Sequence, residues 1–257
     1  MTLLVASDVS VRLGGTAVLH GVSLSVAAGE FVGLAGPNGA GKTTFLRAAA
    51  NLVTPTGGSV RIGGKSHAEL GPQGAARTLA YLPHGAPCHW PMPARRVVAL
   101  GRLPHLPAWQ KLSAHDEAAI DAAMARAGVT AFATRRVDEL SAGERARVMI
   151  ARALAQEPKL LLADEPTVAL DPYHQLHVLE LLRVIADGGG AVLAVFHDLA
   201  LATRFCTRLA LMRAGRLLAD GEPAAVLSAD NVRAAYGVEI AATPATAFTL
   251  PAEAPHH

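Results

Sequence analysis

Cysteine is scarce: the 257 residues hold only Cys88 and Cys206. Two thiols without paired spacings make no disulfide framework, so the expected setting is a reducing compartment. Charged residues are also few, 17% against roughly 25% in ordinary soluble domains. Lys and Arg number 23 and Asp and Glu 21, and the resulting net charge of +2 gives no argument for a nucleic-acid partner. No run of about 18 apolar residues occurs, so no helical span of a bilayer is expected. The opening MTLLVASDVSVRL lacks a basic start followed by an apolar core and reads as a poor signal peptide.

What is abundant is apolar surface. Hydrophobic residues reach 51% and mean hydropathy is +0.30. Alanine richness accounts for part of this, and a face covered by a partner would account for the rest. The length suits one large domain, or a domain with a subdomain, and can bury a sizeable core.

LLVASDVSVRL and HGVSLSV alternate as strands do, around a turn at Gly14-Gly15. EFVGLAG is a short apolar run ending in glycine, which suits a buried strand. A helix is predicted from Lys42 to about Asn51, then strands at GSVRIGG and TLAYLP. From His84 to about Glu139 the texture changes, with prolines crowded between Pro83 and Pro107. Ser113 and Asp116 form a capping box, and Ile120, Ala123, Met124 and Ala127 repeat behind it at helical spacing. This stretch predicts a helical insertion. A helix from Ser141 to Gln156, the strand KLLLAD, a helix after Pro172, the strand AVLAVFHD and a hairpin in RLALMRAGRLLADG follow. Strands alternating with helices imply a mostly parallel sheet. The tail AATPATAFTLPAEAPHH, ending in His256 and His257, has no periodicity and is read as flexible.

GPNGAGKTT, Gly36 to Thr44, fits the phosphate-cradle pattern G-x-x-x-x-G-K-[ST]. Glycines let successive backbone N–H groups of Gly36, Pro37, Asn38, Gly39, Ala40 and Gly41 curl around one anion, the imino nitrogen of Pro37 excepted. Lys42 is expected to reach the β- and γ-phosphates, Thr43 to offer its hydroxyl to Mg²⁺, and the helix through Thr44 to point its positive end at them. A chance glycine turn would lack the strand before it and the helix after it. KLLLADEP supplies the complementary acids: Asp164 emerges from a buried strand to hold Mg²⁺ through water, and Glu165 is placed to polarise the attacking water. ELSAGERARVMIARAL opens with a second capping box, Ser141-x-x-Glu144, before a helix with Ala146, Ile150 and Ala153 on one face. Such a helix start, with Ser141, Ala142, Gly143 and Glu144, can cap itself or receive a phosphate.

In order, these motifs resemble the ABC-type ATPases. LSAGE is similar to their signature, usually LSGGE, and lies between the cradle and LLLADEP as it does there; ALD, Ala169 to Asp171, resembles the D-loop; His197 in AVFHD resembles the switch histidine on the γ-phosphate. The resemblance covers essentially residues 1–237. It implies an α/β fold: a P-loop NTPase core with a mostly parallel sheet, an antiparallel β subdomain and a helical insertion subdomain at about 85–157, together spanning 1–240, with 241–257 as tail. It implies ATP and Mg²⁺ as cofactors and a head-to-tail homodimer, with one ATP between the cradle of one copy and Ser141–Glu144 and Asp171 of the other. Lys42, Glu165 and His197 would carry the chemistry. DEPTVALDPYHQL and ALGRLPHL look like the ATPases of iron–siderophore, haem and cobalamin importers, through His174-Gln175 and the run Gly101 to His105. That branch implies a polytopic membrane permease, an extracytoplasmic binding protein and a peripheral place on the cytoplasmic face of the cell membrane. A ferric siderophore ranks first as substrate, then haem, then cobalamin. A soluble ABC ATPase of repair, translation or cluster assembly is the alternative, but the coiled coil or second nucleotide domain of those types does not occur here. A module that binds nucleotide without hydrolysing it would not need Glu165 and His197.

Three positions depart from the family. Leu13 stands where many members stack an aromatic on adenine, and Ala142 replaces a signature glycine. His84 stands where members carry a glutamine that approaches Mg²⁺ and water. An imidazole there could titrate near neutral pH, so the ATPase is expected to depend on pH more than in glutamine-bearing members. The neighbouring LPHGAPCHWPM brings His84, Cys88 and His89 within six positions, as soft metal ligands would stand. The proline-rich setting and the lack of a second ligand pair favour a coupling loop, with Trp90 facing the membrane partner. His174 and His177 likewise read as a solvated helix face.

Overall fold

Continuous apolar runs make the central sheet, and alternating ones make a second, half-covered sheet. The computed structural model describes residues 1–85, 91–107, 110–168 and 170–238. Cys88, His89, Trp90, Ala169 and the tail 241–257 lie outside the described residues. The first half contains β1 (Thr2–Leu13), β2 (Thr16–Ala27), β3 (Phe31–Ala35), α1 (Lys42–Ala49), β4 (Gly57–Ile62), β5 (Lys65–Ser66), α2 (His67–Thr78) and β6 (Leu79–Leu82). Then come α3 (Ala94–Ala99), α4 (Ala114–Arg126), α5 (Ala142–Ala155), β7 (Leu160–Ala163), α6 (Pro172–Asp187) and β8 (Ala191–Val195). The chain continues through α7 (Leu199–Phe205), β9 (Arg208–Arg213), β10 (Arg216–Gly221), α8 (Pro223–Val226) and α9 (Ala229–Tyr236).

The six-stranded sheet has the order β10-β9-β3-β8-β7-β6. Its strands run parallel except β10, which closes one edge as the hairpin partner of β9. Every residue of β3, β7 and β8 is buried, as a parallel sheet covered on both faces requires. One face, with Phe31, Leu161 and Val192, packs against α5, α6 and the insertion. The other, with Val32, Leu162 and Leu193, packs against α1 and the antiparallel sheet β2-β1-β4-β5. This second sheet starts with the Gly14-Gly15 hairpin that the alternation predicted.

The helical insertion leaves the core after β6 and returns at β7. Ser113 accepts from the Asp116 N–H and Asp116 returns a bond to the Ser113 N–H, so the first predicted capping box forms. The run Gly101 to His105 makes a short 3-10 turn rather than an exposed loop. Arg102 there is 1% exposed and donates to Asp116 Oδ1 at 2.9 Å and to the Ala155 carbonyl at 2.7 Å. His105 Nε2 lies 2.9 Å from the Gln156 carbonyl. The turn therefore ties α4 to the last carbonyls of α5, which no intrahelical donor can satisfy. The reading of the sequence did not anticipate α2. Its capping box, Ser66 with Glu69, is intact, but non-helical Gly71 and Pro72 interrupt the periodicity behind it.

Candidate functional site

Three strands that neighbour one another, β6, β7 and β8, end at Leu82, Ala163 and Val195. Leu82 pairs with Ala163 and Ala163 with Ala194, so the three ends are nearly level. His84, Glu165 and His197 each sit two residues beyond their strand, at the carboxyl edge where parallel sheets collect their ligands. The cradle occupies the same edge, between β3 and α1.

The cradle's geometry is set by glycine. Gly36 and Gly41 have φ of 144° and 95°, and a Cβ would meet the Met212 carbonyl at 2.2 Å or Leu19 Cδ2 at 2.6 Å. The turn between β9 and β10 supports the loop from behind, where the Gly215 N–H donates to the Ala40 carbonyl at 3.0 Å. No side chain caps α1 at Gly41, so its first N–H groups stay available to an anion. Lys42 is 5% exposed, and its Nζ donates to the carbonyls of Gly36 at 2.7 Å and Pro37 at 3.0 Å. Burial lowers its pKa, and the charges of Glu165 and Asp164 oppose that shift. Residues 38–44, with Val18 and Glu165, line a cavity of about 330 Å³.

Thr43 lines this cavity, and its Oγ1 donates to Asp164 Oδ1 at 3.0 Å. Asp164 is fully buried, and burial raises its carboxyl above the usual carboxylate range. The Thr43 hydrogen bond and the charge of His84 pull the other way. Its Oδ2 is buried without a hydrogen-bond partner. An orphaned carboxylate oxygen beside a hydroxyl is a hard-oxygen donor set, and it fits Mg²⁺. Arg47, one helical turn after Thr43, and Tyr81 also stand beside Asp164. The sequence reading missed both, although the four-residue spacing from Thr43 marks Arg47 as sharing its helix face.

Glu165 takes a φ of 53°, in the left-handed region that is rare for a residue with a side chain. Its carboxylate is shared by two histidines. His197 Nε2 bonds Oε1, and His84 Nδ1 lies 3.0 Å from Oε2. His84, expected near the metal, lies against the neighbouring acid Glu165, and its charge also acts on Asp164.

The remaining expected groups stand apart from the cradle cavity within one chain. Ser141 Oγ accepts from the Glu144 N–H at 3.2 Å and Glu144 accepts from the Ser141 N–H at 2.8 Å, so the second capping box forms. Ala142 and Gly143 make the first turn of α5. Asp171 caps α6 by accepting from the His174 N–H at 2.9 Å, which holds its carboxyl below the usual range. His174 Nδ1 lies 2.7 Å from Asp171 Oδ2, while His177 Nε2 lies 3.1 Å from the Arg126 carbonyl, so the two rings serve different partners. No group of three metal-ligating side chains occurs among the described residues. No helix among them is long and apolar enough to cross a membrane.

Residues 19–168 match the sequence profile of the ABC transporter family. A cobalamin import ATP-binding protein of Halobacterium salinarum is 45% identical over 236 residues, which are 91% of this chain and 59% of the relative. The chain thus spans about three-fifths of that relative's length. A hemin import ATP-binding protein of Rhizobium meliloti is 39% identical over 96% of this chain and 95% of its own. Among solved structures, the ATP-binding subunit of an ABC transporter superposes with a TM-score of 0.78 at 29% identity, covering 93% of this chain and 95% of that one. A dimeric ATP-binding cassette bound to ADP and Pi in a post-hydrolysis state gives 0.74 at 26%, covering 86% and 99%.

Proposed function

Since the chain belongs to the ABC transporter family, we propose that it is the ATP-hydrolysing subunit of a metal-chelate importer. Thr43 and Glu165 line the cradle cavity and Thr43 bonds Asp164, and this arrangement carries the reading. The backbone from Gly36 to Gly41 and the free start of α1 would hold the phosphates of ATP. Lys42 would exchange its two carbonyl partners for phosphate oxygens and take up the charge that grows as the γ-phosphoryl leaves. Thr43 and Asp164 would hold Mg²⁺, which would supply charge neutralisation for the phosphates. Glu165 orients the attacking water and accepts its proton, and His197 steadies the γ-phosphate from the neighbouring strand end.

Ser141–Glu144 and Asp171 do not line this cavity in their own chain, which supports a head-to-tail pair in which they complete the site of the other copy. The dimeric cassette with ADP and Pi lends the same support. In this reading two copies sit on the cytoplasmic face of the cell membrane beneath a polytopic permease, which an extracytoplasmic binding protein loads. The relatives named for cobalamin and hemin favour a metal tetrapyrrole as cargo over the ferric siderophore that the sequence reading put first. Glu165→Gln is expected to bind ATP and abolish turnover, and retained turnover rejects the assigned mechanism. Affinity purification from membranes is expected to bring down a polytopic protein, and recovery of the chain alone rejects the transport role.

A further inference from the structure

We infer that His84 is a positioning residue that acts through Glu165; this rests on the reading of Glu165 as the catalytic acid–base group. The carboxylate has one oxygen on each histidine: Oε1 on His197 and Oε2, at 3.0 Å, on His84. The two rings come from loops on either side of β7, so together they block rotation of the carboxylate about its own axis. Glu165 needs such restraint. Its left-handed φ of 53° is a sparsely populated conformation for a side-chain-bearing residue, and it persists only where the surroundings over-determine it. Its side chain is largely enclosed, while both imidazoles are about half exposed, so the histidines form the solvent-side wall of the acid.

The backbone explains how His84 reaches this place. The Asp164 N–H donates to the Leu82 carbonyl at 2.9 Å, one bond past the parallel ladder, so the chain after β6 stays level with the chain after β7. Two residues on, Nδ1 of His84 lies 3.0 Å from Oε2. The loop also shares a cavity with the insertion. Pro83, Gly85 and Glu165 border a small cavity of about 50 Å³ with Ala142, Arg145 and Ala146 at the start of α5. A displacement of α5 therefore bears on the loop that carries His84, and His84 passes it to the orientation of Glu165. Hydrolysis is thereby tied to the placement of the same helix start that the dimer reading assigns to the partner's nucleotide.

The test uses the full chain and compares His84→Ala and His84→Gln with the parent. Three quantities are read: kcat and KM for ATP, equilibrium ATP binding, and the Mg²⁺ concentration giving half-maximal binding. Loss of a 3.0 Å ion-pair contact predicts a fall in kcat of about fivefold for His84→Ala, with KM, ATP binding and the Mg²⁺ half-point within about twofold. His84→Gln, whose amide can still reach Oε2, is expected to recover most of kcat. In a Glu165→Asp background, where the carboxylate is withdrawn by one methylene, His84→Ala should lose most of its effect. Unchanged kcat in His84→Ala overturns the inference. So does a loss that appears in the Mg²⁺ half-point, a failure of glutamine to recover turnover, or full additivity with Glu165→Asp. Glu165→Gln, assayed beside them, tests the underlying reading separately: turnover in that variant rejects Glu165 as the acid–base group whatever His84 does.

Discussion

Replacing Arg102 by methionine should destabilise the helical insertion by about 3 kcal/mol, at the lower end of the roughly 3–5 kcal/mol lost when one member of a buried ion pair is removed. The value is set partner by partner. Asp116 loses the Arg102 guanidinium but keeps the Ser113 N–H at 2.9 Å and the Ser113 hydroxyl at 2.6 Å, so its charge is not stranded. Glu157, whose side chain is 49% exposed, loses a 2.6 Å contact and rehydrates at little cost. The Ala155 carbonyl at the end of α5 loses a donor it cannot replace. Methionine fills much of the vacated volume but supplies no donor. For a chain of this size 1 kcal/mol moves the melting temperature by roughly 2–4 °C, so a fall of about 6–12 °C is expected in calorimetry. Hydrogen exchange should locate the loosening in α4 and the end of α5. Arg102→Met with Asp116→Asn should recover at least about 1 kcal/mol of that loss, because no unpaired charge remains. The Ser113 hydroxyl first, then its N–H, then Arg102 hold the Asp116 carboxyl far below the usual range. A carboxylate depressed in the folded state contributes stability above its unfolded value, about pH 4, and loses it as pH falls toward the folded value. In Arg102→Met that acid loss should be smaller and complete at higher pH. A melting shift below about 3 °C, or no recovery in the double variant, refutes the buried clasp.

Asp164→Asn should raise the melting temperature of the chain without nucleotide, since burial raises this carboxyl and its ionised form costs stability as pH rises through the folded pKa. The same variant should lose Mg²⁺-dependent stabilisation by ATP, and retention of that stabilisation removes Asp164 from the metal site. Leu13, exposed at the end of β1, offers no stacking face. Leu13→Tyr should tighten ATP binding by about fivefold or more, the lower end of what stacking on an aromatic contributes, and an unchanged Kd shows that adenine does not lie there.

Local chemistry was legible in the sequence, and neighbourhood was not. The two capping boxes, Ser113 with Asp116 and Ser141 with Glu144, form because each needs only four consecutive residues. The cradle likewise depends on its own glycines and on the strand and helix beside it. Strand order is different in kind. Nothing in TLAYLP, KLLLAD or AVLAVF states that β6, β7 and β8 lie side by side, yet that adjacency alone brings His84, Glu165 and His197 together. Motif order along the chain places His84 near Mg²⁺, and only the sheet order adds that it stands against Glu165. The run Gly101 to His105 shows the same limit. As sequence it marks a branch of the family, and composition would put an arginine at the surface. Only the packing of α4 against α5 creates a site where a buried guanidinium can meet Asp116 and the end of a helix at once. Position 84 should therefore tolerate whatever side chain can reach Glu165, and position 102 only one that can satisfy both partners, so a library at the two sites should accept glutamine at 84 and little but arginine at 102.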